Sequence, residues 1–168
     1  MKAAGRYTWT ATPLCSTKAT ELAPITVSAE VNRSAEDVFA YATDPSCFAK
    51  WQQGVISGHM EGGDSLGVGD RCVMVRRIGC TNRTSTSELV RVDPPRTWRV
   101  AGIDGPIRAT VDVEVAGLDD QRARVTIAVD FAGQGIGRLL IPLAAQRQAR
   151  KEMPANMAAL KRNLERQT

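Results

Sequence analysis

Residues 25–51 read ITVSAEVNRSAEDVFAYATDPSCFAKW, and the fold follows from how this stretch changes period. Ile25, Val27, Ala29 and Val31 alternate with Thr26, Ser28 and Glu30, the period of two expected of a half-buried strand. Ser34 then offers a helix N-cap, and Glu36 and Asp37 suit the positive end of the helix dipole. The helix so opened buries Val38, Phe39 and Ala42 and stops near Asp44. Asp44-Pro45 is a second start, a capping carboxylate followed by a first-turn proline, and it introduces a short helix carrying Cys47, Phe48 and Trp51.

From Val55 onward the period returns to two. Strands are predicted at Val55–Glu61, Arg71–Ile78, Thr84–Val92, Thr97–Ile103, Ile107–Ala116 and Arg122–Ala132, separated by turn-rich segments such as Gly79-Cys80-Thr81-Asn82 and Asp93-Pro94-Pro95. Connections this short require antiparallel neighbours. Gly133 to Gly137 breaks the pattern, and the remainder is helical. Positions 139, 143, 146, 150, 153, 157, 160 and 164 trace one helix face and read Leu, Leu, Gln, Arg, Met, Met, Leu, Leu. Pro154 lacks the N–H that would bond the carbonyl of Arg150, so a bend or break is expected there.

The order strand, two short helices, six strands and one long helix is that of an α+β domain. A single helix covering a strongly curved seven-stranded sheet leaves space to fill, which predicts a cavity. Gln146 and Arg150 in the middle of the stripe are costly against a dry apolar core, and suit a ligand, water or polar partners.

Composition narrows the function. The chain has 168 residues, 22 basic against 18 acidic, so the net charge is +4. The surplus sits at the two ends: residues 25–135 hold 12 basic against 15 acidic side chains, and residues 136–168 hold seven against two. Only eight aromatic residues are present and none interleaves with basic ones, which disfavours nucleic acid. No apolar run reaches the ~20 residues of a spanning helix. Cys15, Cys47, Cys72 and Cys80 form no C-x-x-C pair, and no signal-peptide apolar segment stands at the start, so a cytoplasmic protein is expected. Residues 1–24 read as a flexible extension and 25–168 as one ligand-binding domain. Neither a cofactor nor a metal is expected, because one histidine and scattered cysteines make no ligand set.

The segment quoted above, together with GDSLGVGDRCVMV (63–75), DPPRTW (93–98) and the long final helix, resembles the START-related, polyketide cyclase/dehydrase and lipid-transport (SRPBCC) superfamily. That superfamily shares its helix-grip fold with the birch pollen allergen. The resemblance covers roughly residues 25–166. It implies a seven-stranded curved antiparallel sheet wrapped around a long C-terminal helix, with a hydrophobic pocket between them. It leaves catalysis open, since the fold hosts lipid carriers, cyclases, hormone receptors and chaperone activators alike.

The expected occupant is a hydrophobic or polycyclic small molecule. Val27, Trp51, Met74, Trp98, Val111, Ile127, Met153 and Met157 would form the walls, and Arg76, Glu88, Gln146 and Arg150 would orient the ligand. If Cys72, Met74 and Ile78 face inward, so does Arg76; if Val90 and Val92 do, so does Glu88. Otherwise a bulge flips the register and sends these charges to solvent. The alternative function is a metal-independent cyclase or dehydratase in the same pocket, with Glu88, Arg76 or His59 as catalytic candidates and Cys72 or Ser57 as nucleophiles. The glycine-rich loop 62–69 joins strand to strand and would serve as a lid. A third reading is a peripheral membrane or acidic-partner contact through Arg147, Lys151, Lys161, Arg162 and Arg166 on the helix.

Overall fold

Short turns pair each alternating segment with the next. Among the described residues the strands are β1 (Ile25–Val31), β2 (Val55–Glu61), β3 (Arg71–Ile78), β4 (Thr81–Asp93), β5 (Thr97–Gly102), β6 (Ile107–Asp119) and β7 (Arg122–Gly133). They form one antiparallel sheet in the order β1-β7-β6-β5-β4-β3-β2. The helices are α1 (Ala35–Thr43), α2 (Phe48–Trp51), preceded by the 3-10 turn Pro45–Cys47, and α3 (Leu140–Arg166). The structure, a computed structural model, describes residues 23–62, 66–104, 107–133 and 140–166. Nearly all of the expected extension, residues 134–137 of the expected break, and Leu139 lie outside the described residues.

The caps form as the sequence requires. The Ser34 hydroxyl accepts the Asp37 N–H at 3.2 Å. Asp44 accepts the Ser46 N–H at 2.8 Å and the Ser46 hydroxyl at 2.8 Å. Burial resists ionisation of Asp44, but these donors and the Cys47 thiol hold its pKa below the usual value. Turn Gly79-Cys80 is tighter than expected, with Ile78 directly opposite Thr81, and Gly79 supplies the left-handed φ of +60° that the turn needs.

The short α2 reaches the sheet because β2 carries no side chain at Gly58. A Cβ there would lie 2.6 Å from the Pro45 carbonyl oxygen. The 3-10 turn therefore rests directly on β2, and Phe48 and Trp51 are carried into the core. Phe48 meets Trp51 edge-on at 5.7 Å and Trp98 edge-on at 6.3 Å.

The long helix lies over β1, β7 and α2. It is continuous through Pro154, which corrects the expectation of a break. Arg150, whose carbonyl Pro154 cannot bond, is solvent-exposed. Met153, Met157, Leu160 and Leu164 are buried, each worth about 1.5–3 kcal/mol of apolar transfer. Polar contacts fix the helix axially. The Arg33 guanidinium donates to the Leu164 carbonyl at 2.9 Å. Asn163 donates to the Lys50 carbonyl at 2.9 Å and to the Tyr41 hydroxyl at 3.2 Å. Buried Asn156 accepts the Gln53 N–H at 2.9 Å.

Candidate ligand-binding site

The concave face of the sheet is buried throughout at one end and only in places at the other, where Ile25, Val55 and Cys72 are buried among partly exposed neighbours. Directly paired residues share a face, so the register assigns Val31, Ala123, Val125, Val115, Val113, Trp98, Val100 and Leu89 to the sealed half, and all are buried. Here α1 lies against β6 and β7, α3 against β1 and β7, and Phe48 of α2 against Trp98. Farther along the same face come Val27, Val129, Phe131, Val111, Ala109, Gly102, Ser87, Ser85 and Met74. All of these remain partly exposed, although they point toward the helix side. The accessible half is apolar on β6 and β7 and small on β4 and β5. Two surface depressions lie elsewhere: about 450 Å³ around Arg77 and Gly79 to Asn82, and about 260 Å³ between Arg33, Asp37, Ala40 and Leu164.

Of the expected wall residues, Val27, Met74 and Val111 line the accessible half. Ile127, paired with Val27 and Val113 on the same face, is buried, as are Met153 and Met157 on α3, and Trp98 belongs to the sealed half. Trp51 is buried between α2 and the sheet. The indole N–H groups of Trp51 and Trp98 are buried without an acceptor among the described residues.

The orienting residues divide. Arg76 lies on the concave face opposite buried Val55. Its Nη1 donates to Glu152 of α3 at 3.2 Å and its Nη2 to Gln52 at 3.4 Å. Gln148, one helical turn before Glu152, donates to the other Glu152 oxygen at 2.6 Å. Side-chain exposure is 30% for Arg76 and 17% for Glu152, so the pair is shielded but wet. Glu88, expected beside Arg76, lies on the convex face opposite Arg71. The reason is a bulge between Leu89 and Arg91: Leu89 and Val92 both turn inward, while Val90 stands 40% exposed. Thr84 and Thr86 follow Glu88 outward, and Ser85 and Ser87 take the concave positions.

Gln146 is buried, and its amide donates to the Ala23 carbonyl at 2.8 Å, so its polarity is spent on the chain before β1. Arg150 is exposed rather than inward. At 3.6 residues per turn, Ala149 occupies the face above Met153, and Arg150 is rotated by about 100° away from it. Arg147, Lys151, Arg162 and Arg166 are likewise exposed, and Lys161 sits 3.8 Å from Glu165. The loop before β3 is tied down at its described end, where the Gly69 N–H bonds Leu89 and the Gly67 N–H bonds Asp70. Glu152, Gln52, Ser85 and Ser87 were missed from sequence. Gln148 and Glu152, four apart, carried the signal of a polar helix edge but fell beside the apolar stripe.

The sequence profile of polyketide cyclase / dehydrase and lipid transport proteins matches residues 23–165. This chain belongs to that family. No curated protein matches it. Among solved structures, the ZhuI aromatase/cyclase from Streptomyces sp. R1128 superposes with a TM-score of 0.72 at 14% identity, over 86% of this chain and 94% of its own. A START superfamily protein from Mycobacterium smegmatis gives 0.69 at 13% identity, over 86% and 99%. BexL, a di-domain aromatase/cyclase of the BE-7585A biosynthetic pathway, gives 0.67 at 15% identity over 86% of this chain. The chain spans 47% of that protein, about half its length. At these identities the likeness is one of fold: a helix-grip sheet closed by a C-terminal helix.

In this member of the polyketide cyclase / dehydrase and lipid transport family, the catalytic candidate His59 and the candidate nucleophiles Ser57 and Cys72 stand apart from the concave opening. His59 and Ser57 are exposed on edge strand β2, and their register partners Val73 and Val75 place them on the convex side. Cys72 faces inward but is buried, and burial pushes its thiol from the ordinary 9.0 up to about 11. It is therefore protonated and unreactive near neutrality. Between pH 9 and 11 the native chain keeps this proton and the unfolded chain releases it. The stability held below pH 9 is thus lost as pH rises toward 11. Urea midpoints measured across this range should fall less steeply in Cys72→Ala than in the parent. Equal slopes would show that the thiol is not shielded.

Proposed function

We propose that the protein binds a hydrophobic or polycyclic small molecule, lipid or polyketide-like, on the accessible half of the concave face beneath α3. The observation that carries this reading is the split in burial along one continuous inner face. Side chains from Val31 to Leu89 are sealed, while Val27, Val111, Val129, Phe131 and Met74 stay accessible to water though they face the helix. Apolar surface left wet inside a fold is released to solvent at a cost of about 25 cal/mol per Å², and an apolar guest recovers it. Unpaired Cys47, Cys72 and Cys80 fit a reducing, cytoplasmic setting.

Native mass spectrometry of gently purified protein, followed by titration of the stripped protein with a neutral polycyclic fluorophore, tests this. Saturable binding is expected, and Ser87→Trp, which fills the accessible half from β4, should weaken it at least tenfold while the thermal midpoint holds. A chain that is always empty and binds no such probe would overturn the reading.

One observation favours a second reading, a cyclase or dehydratase in the same space. Arg76 and Glu152 stand 3.2 Å apart on the concave side, a fixed cation beside a group able to carry a proton. On this reading Glu152, rather than Glu88, would be the acid–base group.

A further inference from the structure

Arg76 and Arg83 are direct cross-strand partners on β3 and β4, and both occupy the concave face. Like charges placed opposite one another destabilise a sheet pair. Arg76 is partly relieved by Glu152 and Gln52. Arg83 is exposed and makes no ion pair or hydrogen bond with the described residues. The Arg76 Nε–H is buried and also lacks an acceptor among them. Asp104, which reaches β4 from the loop after β5, is engaged by the Thr86 N–H at 3.0 Å. Glu152 thus answers Arg76 alone, and a net positive charge with open N–H donors remains beside Met74 and Ser85, at the rim of the accessible half.

We infer that Arg83, together with Arg76, forms a subsite for the anionic head group of the ligand, and that the ligand class is a carboxylate-bearing amphiphile. This deepens the interior-binding reading and rests on it. The apolar body lies along Met74, Val111 and Val129, while the carboxylate takes the place of the missing counter-charge. Guanidinium donors suit this role because they meet a carboxylate with two parallel hydrogen bonds. Glu152 sets the strength of the preference by neutralising one of the two cations.

The test uses the full chain, stripped of lipid, with a fluorescent polyene fatty acid and its methyl ester as probes. The acid is expected to bind at least tenfold more tightly than the ester, with the ratio shrinking as salt rises. In Arg83→Gln the ratio should collapse toward one, and in Glu152→Gln, which frees Arg76, it should grow. Arg77→Gln removes a cation from the convex face of the same hairpin and should leave the ratio in place, which separates a site from general charge. Equal binding of acid and ester, or an acid preference intact in Arg83→Gln, overturns the subsite while leaving interior binding standing. No binding of either probe overturns both.

Discussion

Trp98→Ala is expected to lower the unfolding free energy by about 3–5 kcal/mol, among the largest losses a single substitution can produce here. Trp98 is 2% exposed and sits opposite Val92 on β4 and Val113 on β6, where the sheet meets Phe48 of α2. Truncation removes the indole and leaves a cavity that three different elements border, so no one of them can close it. Urea unfolding at neutral pH reads the loss. Trp98→Phe should lose much less, because the ring contact with Phe48 survives and the unpartnered indole N–H disappears with the larger ring. A loss below about 1 kcal/mol for alanine, the level of an ordinary exposed site, would mean that this end of the sheet is not sealed.

Gly58→Val should cost about 1–3 kcal/mol through overpacking. The first added carbon meets the Pro45 carbonyl oxygen at 2.6 Å and the Pro45 Cβ at 3.1 Å. A backbone carbonyl cannot swing aside as a side-chain tip can, so the 3-10 turn and α2 must lift from β2 together. That displaces Trp51, which α2 carries. The near-ultraviolet dichroism of the tryptophans should therefore change along with the urea midpoint. An unchanged midpoint and spectrum would show that the turn does not rest on β2.

Element types were legible because local chemistry decided them. Ser34, Asp44 and Pro45 act within a few residues of themselves, and the alternation of β1, β2 and β3 gave their bounds to the residue. The family resemblance carried by residues 25–51, 63–75 and 93–98 is matched by the family profile over residues 23–165. Side-chain direction was less legible. A single bulge after Leu89 reverses the phase of β4, and Glu88 moved from the expected pocket to the convex surface. On α3, the eight stepped positions share an arc about 100° wide on a helix of 3.6 residues per turn. The core lies toward the edge of that arc nearer Ala149, Met153 and Leu160, and Leu143 and Arg150 on the other edge meet water.

By itself, the sequence determined the order of strands and helices, their caps, and the presence of an apolar inner face, since each depends on neighbours close along the chain. Only the tertiary structure decided which charges share that face. Arg76 meets Glu152 across 76 residues and Arg83 across a hairpin, and both encounters depend on strand register and helix rotation. A one-residue slip in either reverses the answer, because successive strand side chains point to opposite sides and successive helix positions are about 100° apart.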